Sequence, residues 1–420
     1  MIAVPRPTAA VLIGYTAGAI VALYPNQLPR SALVQLAVVG LVGGFGALIG
    51  ALIAHWSGRG AAASFVACRL TASLTVLSLI GWLLWQSVLR ESAGVTDVSP
   101  FRFAGLSIGV LGTPYLASLL LSIRQRVRVA VVVITLVGLA AGAITFHATA
   151  HAAPSQSYAA RFMDIDSPAR GTRVYASLSD GAGPSERADA AVDRLAAAGG
   201  LSRRAVVIAV PTGSGWVDPH FVRGVERALR GDSSIVAVQY TQQPSWQSFV
   251  FHRDAAAKST SALIEALHRR APATPVYLYG QSLGTVGVVA AQRRATTLGQ
   301  PVAGTVQVGT PVDVPPVGPA ELNSSDPVGI WSPRLLILPP DRAATAPGPN
   351  TPRPPWLPVI GFAQATVDLL GATAPPPGLG HRYDEHQGSD LVRDMARRST
   401  VNPGSVAELT IAGGSGGGGW

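Results

Sequence analysis

Val276-Tyr277-Leu278-Tyr279-Gly280-Gln281-Ser282-Leu283-Gly284 decides how the second half of this 420-residue chain folds. The stretch reads as a buried strand that runs into G-x-S-x-G and then into a helix from Thr285 to Leu298. Gly280 and Gly284 permit a tight turn and a close approach of strand to helix, which leaves the serine on a strained bend with its hydroxyl exposed. The amide after it lies at a helix N-terminus, where unpaired N–H groups receive developing negative charge. Gly413-Gly414-Ser415-Gly416-Gly417 fits the same pattern but has no strand before it and no helix after it. Context therefore selects Ser282 as the candidate nucleophile.

Outward from this point, apolar runs alternate with amphipathic stretches. Strands are expected near Arg173–Leu178, Ala205–Val210, Ile235–Tyr240, Val276–Tyr279 and Ala303–Val308, with helices near 184–198, 218–229, 248–270 and 285–298. Such alternation predicts a mostly parallel sheet covered on both faces. Two strands before the serine comes Pro211-Thr212-Gly213-Ser214-Gly215-Trp216. A glycine-rich loop in that position can supply a second oxyanion donor, so the amide of Gly213 or Ser214 is expected to join that of Leu283.

A serine nucleophile of this type needs an acid and then a histidine downstream. Only His381 and His386 follow Ser282. His381 sits in the glycine-bracketed Pro377-Gly378-Leu379-Gly380-His381-Arg382-Tyr383, which can bend a side chain back over a sheet edge; His386 falls on the first turn of the final helix and is expected to be solvated. Three aspartates compete for the acid: Asp326 in a turn fixed by Pro327, Asp313 directly after a strand, and Asp341 after the run Leu335–Leu338. Spacing alone leaves all three open.

Taken together, several stretches resemble the bacterial membrane-anchored α/β-hydrolase family, in which several N-terminal membrane helices precede a catalytic domain. They are Thr212–Pro219, Gln239-Tyr240 with Pro244-Ser245-Trp246, Gly280–Gly284, Asp326-Pro327-Val328 and Gly378–Tyr383. The resemblance implies Ser282, Asp326 and His381 as a catalytic triad, and acyl transfer through a serine-bound intermediate is expected to need no metal or organic cofactor. Two features depart from it: Gln281, where similar elbows often carry an acid, and the proline-rich Pro339–Pro358, which reads as an expanded loop.

The first 150 residues are of another kind. They hold two acids, Glu91 and Asp97, against nine arginines, whereas the remainder nearly balances its charge. The net charge of +9 thus belongs to the first part, and no nucleic-acid partner is expected. Five apolar runs, about 8–24, 32–56, 70–88, 105–123 and 128–147, approach the roughly 20 residues that cross a bilayer. The expected fold is an all-α transmembrane region of about five helices followed by an α/β-hydrolase domain. The expected boundaries are 1–150 membrane region, 151–170 linker, 171–410 catalytic domain and 411–420 flexible glycine-rich tail. Gly40, Gly44, Gly46 and Gly50 form two small-xxx-small pairs suited to close helix packing. The cluster Arg124, Arg126, Arg128 is expected in the cytoplasm, which places residues after 150 on the other side of the cell membrane. The single cysteine, Cys68, excludes an intramolecular disulfide and a cysteine nucleophile in the second half. Preference for arginine over lysine, with abundant Ala, Gly and Pro, suggests a high-GC bacterial genome.

The expected function is therefore a membrane-anchored serine esterase or lipase, with the bilayer and an acyl-ester or lipid as its partners. Two alternatives share the scaffold. An acyltransferase would pass the same acyl-enzyme to an alcohol, which product analysis with and without a glycolipid acceptor separates. A non-catalytic binding domain would be expected to lack one of the three catalytic residues.

Overall fold

The computed structural model describes residues 8–58, 62–95, 109, 157–243, 247–248, 251–340 and 351–401. The chain divides into two units. One comprises Met1–Ala153, Trp331–Asp341 and Pro349–Pro375; the other comprises Pro154–Ile330, Arg342–Gly348 and Pro376–Trp420. Residues 331–341 and 349–375, expected within the catalytic domain, thus group with the N-terminal helices.

In the first unit, helices α1 (Ala9–Ala22), α2 (Ala32–Trp56) and α3 (Phe65–Ser92) each start at a hydroxyl. Thr8, Ser31 and Ser64 accept from the amides of Val11, Val34 and Ala67, satisfying donors that a helix start leaves orphaned. α2 and α3 are long and apolar enough to cross a membrane. α1 is not: its 14 residues rise roughly 21 Å, short of a bilayer core of about 30 Å. The fourth and fifth apolar runs and the Arg124–Arg128 cluster lie outside the described residues. Of the two glycine pairs, only Gly46 and Gly50 form a helix contact. A Cβ on Gly46 would stand 2.1 Å from the Gly14 carbonyl oxygen and one on Gly50 2.1 Å from that of Ala10, whereas one on Gly40 or Gly44 would meet nothing within 4 Å among the described residues. The same unit contains a 3₁₀ turn at Pro333–Leu336, where the sequence suggests an apolar run, and helix α9 (Ile360–Gly371).

The second unit is a six-stranded parallel sheet: β1 (Thr172–Ala176), β2 (Ala205–Val210), β3 (Ser233–Val238), β4 (Val276–Gln281), β5 (Val302–Val308) and β6 (Ala320–Glu321), in the order β1-β3-β2-β4-β5-β6. β2, β3 and β4 are buried along their whole length, which is why they read as unbroken apolar runs rather than alternating ones. α5 (Pro184–Ala197), α7 (Arg253–Arg270) and α8 (Gly284–Leu298) bury Leu195, Leu263, Ile264 and Val288 against one face. α4 (Tyr158–Met163), α6 (Pro219–Ala228) and α10 (His386–Val401) bury Phe162, Phe221, Val225 and Leu391 against the other. α4 falls in the expected linker. The five expected strands are present, and the two-residue β6 at the edge is an addition.

Candidate active site

β4 delivers Ser282 at the C-terminal end of the sheet, and the residue adopts φ 55°. A non-glycine residue in this left-handed region costs about 1–3 kcal/mol and persists where the surroundings over-determine it. Here they do. The Ser282 amide donates to Val308 O at 2.9 Å, and its carbonyl accepts from the Thr285 amide at 3.0 Å and Thr285 Oγ1 at 2.6 Å. A Cβ on Gly280 would meet Gly284 O at 2.6 Å, and one on Gly284 would meet Val210 O at 2.5 Å and Pro211 O at 2.9 Å. Both glycines are therefore required by packing. Leu283 follows as the residue before α8, so its amide belongs to the first turn, where intrahelical partners are missing.

The contact between Gly284 and Pro211 arises because β2, two strands earlier in sequence, is the immediate neighbour of β4 in the sheet. It brings the Pro211–Trp216 loop beside the elbow. Side chains hold four of the six carbonyls of that loop: Tyr240 Oη donates to Pro211 O at 2.9 Å, Ser248 Oγ to Gly213 O at 3.2 Å, Gln239 Nε2 to Ser214 O at 3.3 Å and Tyr175 Oη to Gly215 O at 2.7 Å. Burial pushes the Tyr240 and Tyr175 hydroxyls above the ordinary tyrosine range, so both remain donors. Within the turn the amides of Thr212 and Gly215 go to the carbonyls of Trp216 and Thr212. Those of Gly213 and Ser214 take no part in these two bonds. Of these four supports, Gln239 and Tyr240 carry a sequence signal, the motif they belong to, and Tyr175 and Ser248 carry none.

Asp326 and His381 are brought together. His381 Nδ1 stands 2.8 Å from Asp326 Oδ2, and both residues are buried. Asp326 Oδ1 accepts the Val328 amide at 2.9 Å, and the Asp326 amide donates to Asn323 O at 3.0 Å, so the turn before Pro327 aims the carboxylate. The histidine loop is formed by Gly378 and Gly380 at φ 87° and 55°. It is tied to the acid turn by Asn323 Nδ2 to Gly380 O and Arg382 O, and by the Gly380 amide to Ser325 Oγ. Tyr383 Oη donates to Asp326 Oδ2 at 2.6 Å. Burial and the Asp326 charge push that hydroxyl well above its usual value.

His381 Nε2 is buried and makes no hydrogen bond to Ser282 or to any other group among the described residues. The end of β5 touches both sides of the site. Val308 O holds the Ser282 amide, and at the next residue a Cβ on Gly309 would lie 2.5 Å from His381 Cε1 and 3.1 Å from Asp326 Oδ2. Gly309, at φ 56°, had no signal in the sequence. Gln281 Nε2 donates to His381 O at 3.2 Å, a bond that a carboxylate at this position could not make.

Of the rival residues, Asp313 is exposed and paired with Arg253 at 2.5 Å. Asp341 lies outside the described residues. His386 opens α10 and is exposed, with its amide on Asp384 Oδ1.

A comparison with protein-family models matches the chain to one described as the alpha/beta-hydrolase family, over residues 172–317 and 321–409, which is more than half of its length. No curated protein and no solved structure matches it.

Proposed function

The chain belongs to the α/β-hydrolase family, and from that premise we propose that it is a membrane-anchored serine hydrolase acting on lipid or other acyl esters. The observation that carries this reading is the buried His381–Asp326 bond, held against the residue that follows the Ser282 amide's own partner.

In the proposed reaction Ser282 Oγ attacks the ester carbonyl carbon while His381 Nε2 takes its proton. The Nδ1–H bond to Asp326 fixes the tautomer that leaves Nε2 as acceptor, and the carboxylate stabilises the imidazolium that forms. Long or unmade base–nucleophile bonds are common before substrate binds. The amides of Leu283 and of Gly213 or Ser214 receive the oxyanion, an effect of about 3–4 kcal/mol per donor. The protonated imidazole then releases the alcohol, and water repeats the sequence on the acyl-enzyme. α2 and α3, long and apolar enough to span a bilayer, support anchoring at a membrane, and the arginine cluster Arg124, Arg126, Arg128, read as cytoplasmic, supports a catalytic unit on the extracytoplasmic side.

Short-chain p-nitrophenyl esters test the reaction class. We expect a burst of p-nitrophenol equivalent to the enzyme present, followed by slower turnover, both abolished in Ser282→Ala. Full turnover in that variant would remove the serine from the mechanism.

A further inference from the structure

The insertion between Ile330 and Pro376, whose segments Trp331–Asp341 and Pro349–Pro375 group with the N-terminal helices, carries two unusual features. The first is a buried ion pair. Asp368 on α9 accepts from Arg30 Nη2 at 2.7 Å and Nε at 3.0 Å, and its other oxygen accepts the Gln27 amide at 2.8 Å. Around the pair, Arg30 Nη2 reaches Gln364 O, Gln364 Nε2 reaches Val21 O, and Gln86 on α3 bridges Asn26 and the Arg30 amide. α9 is thereby fastened to the turn between α1 and α2 by groups that are nearly all buried. Ionisable residues among apolar helices persist when they are paired in this way.

The second feature is the surface. Ile337 is 73% exposed, Val359 60% and Leu370 61%, and Leu336, Leu338 and Leu357 are exposed as well. Among the described residues the whole catalytic unit exposes only Phe251 and Val312 as large apolar side chains. The residues at 336–338 and 357–359 are also neighbours. The Val359 amide donates to Leu336 O at 3.0 Å and Trp356 Nε1 to Leu335 O at 3.3 Å, so the two short segments form one apolar patch. Contiguous patches of this kind mark a contact with a partner or a membrane. The patch belongs to the same unit as helices α2 and α3, whose exposed side chains are of the same class and include Leu33, Phe45, Leu77 and Leu84. α9 has 12 residues, too few to span.

We propose that residues 331–340 and 351–375 form an interfacial membrane element, with Leu336–Leu338, Leu357, Val359 and Leu370 seated among lipid acyl chains and Asp368–Arg30 clamping the element to the membrane helices. The proposal rests on the membrane-anchored reading given above. It matters for chemistry because the insertion begins five residues after Asp326 and ends six before His381, so bilayer contact acts on a segment joined at both ends to the catalytic pair.

The test uses the full chain in a Cys68→Ser background with single cysteines carrying an environment-sensitive fluorophore, reconstituted in phosphatidylcholine–phosphatidylglycerol vesicles with and without brominated acyl chains. Probes sit at Ile337→Cys, Val359→Cys and Leu370→Cys, with Leu77→Cys on α3 as the membrane reference and Ser202→Cys as the aqueous one. We expect the three insertion probes to be quenched by brominated lipid at least half as strongly as the α3 probe and to be shielded from aqueous iodide. Quenching of the α3 probe alone, with the insertion open to iodide, overturns the proposal and leaves the membrane anchor intact. Shielding from iodide without lipid quenching assigns the patch to a second copy and also overturns it. Absence of quenching at Leu77→Cys rejects the membrane reading itself, and the proposal with it.

Discussion

Tyr383 Oη donates a 2.6 Å hydrogen bond to Asp326 Oδ2, the same oxygen that faces His381 Nδ1. One carboxylate oxygen thus divides its charge between a phenol and the imidazole. Removing the phenol takes one hydrogen-bond donor from this buried carboxylate. We expect Tyr383→Phe to cost about 1.5–3 kcal/mol of stability, the range for a bond to a charged group, and to lower kcat with little change in KM. Unchanged stability together with unchanged kcat would make the hydroxyl idle.

The choice of acid is open to direct comparison. Asp326→Asn should lower kcat by about 10⁴-fold, because the amide favours the wrong imidazole tautomer. Asp313→Asn removes only an exposed pair with Arg253 and should leave kcat within a small factor. Asp341→Asn should be equally mild. A larger loss from either rival would displace Asp326.

Gly309 offers a steric test of how the pair is held. A methyl group there enters the space of the His381 ring, at 2.5 Å from Cε1 and 2.8 Å from Nδ1, and φ 56° disfavours any side chain. Gly309→Ala should abolish most turnover, because the ring must shift. Gly299→Ala serves as a control: it lies at φ 74° with open space around it, so it should cost stability through backbone strain alone. Equal activity in the two variants would separate Gly309 from the site.

Glu321 supplies a pH dependence of stability. Burial, and after it the charge of Asp384, raise its carboxyl to about 7 against an ordinary value of 4.5, with Arg393 opposing. Its Oε1 is buried without a partner. The folded state holds this proton more tightly than the unfolded chain. Its contribution to stability is therefore complete below about 4.5 and is lost as the pH rises through about 7. Glu321→Gln should remove this slope and stabilise the protein at pH 8 by on the order of 3 kcal/mol. Denaturant unfolding at pH 5 and pH 8 measures it; a variant less stable than the parent at pH 8 would contradict it.

Much of the catalytic unit was legible because its signals are local. Fully buried parallel strands read as apolar runs, and glycines at Gly280, Gly284, Gly378 and Gly380 mark turns that only they permit. Long-range pairing was not legible. Arg173 reads as an ordinary strand residue, yet its guanidinium donates two hydrogen bonds, each 2.7 Å, to the buried carboxylate of Glu226. Gly309 carries no motif, and its role comes from β5 lying beside β4. The insertion misled for a similar reason. Proline-rich sequence gives no period to read, and Asp368 within α9 acquires its meaning only from Arg30, 338 residues away. In the N-terminal part, hydropathy identified apolar runs but not their helical lengths, so α1, ended before Pro25, counted as a span although it is too short.

The central claim is that Ser282 is the nucleophile, and a fluorophosphonate probe reads this directly. Intact mass and peptide mapping of the purified protein should give one phosphonyl adduct per chain, on the peptide containing Ser282, and none in Ser282→Ala. Slower labelling in His381→Ala would follow from loss of the base. An adduct on another residue, or undiminished labelling of Ser282→Ala, would contradict the assignment.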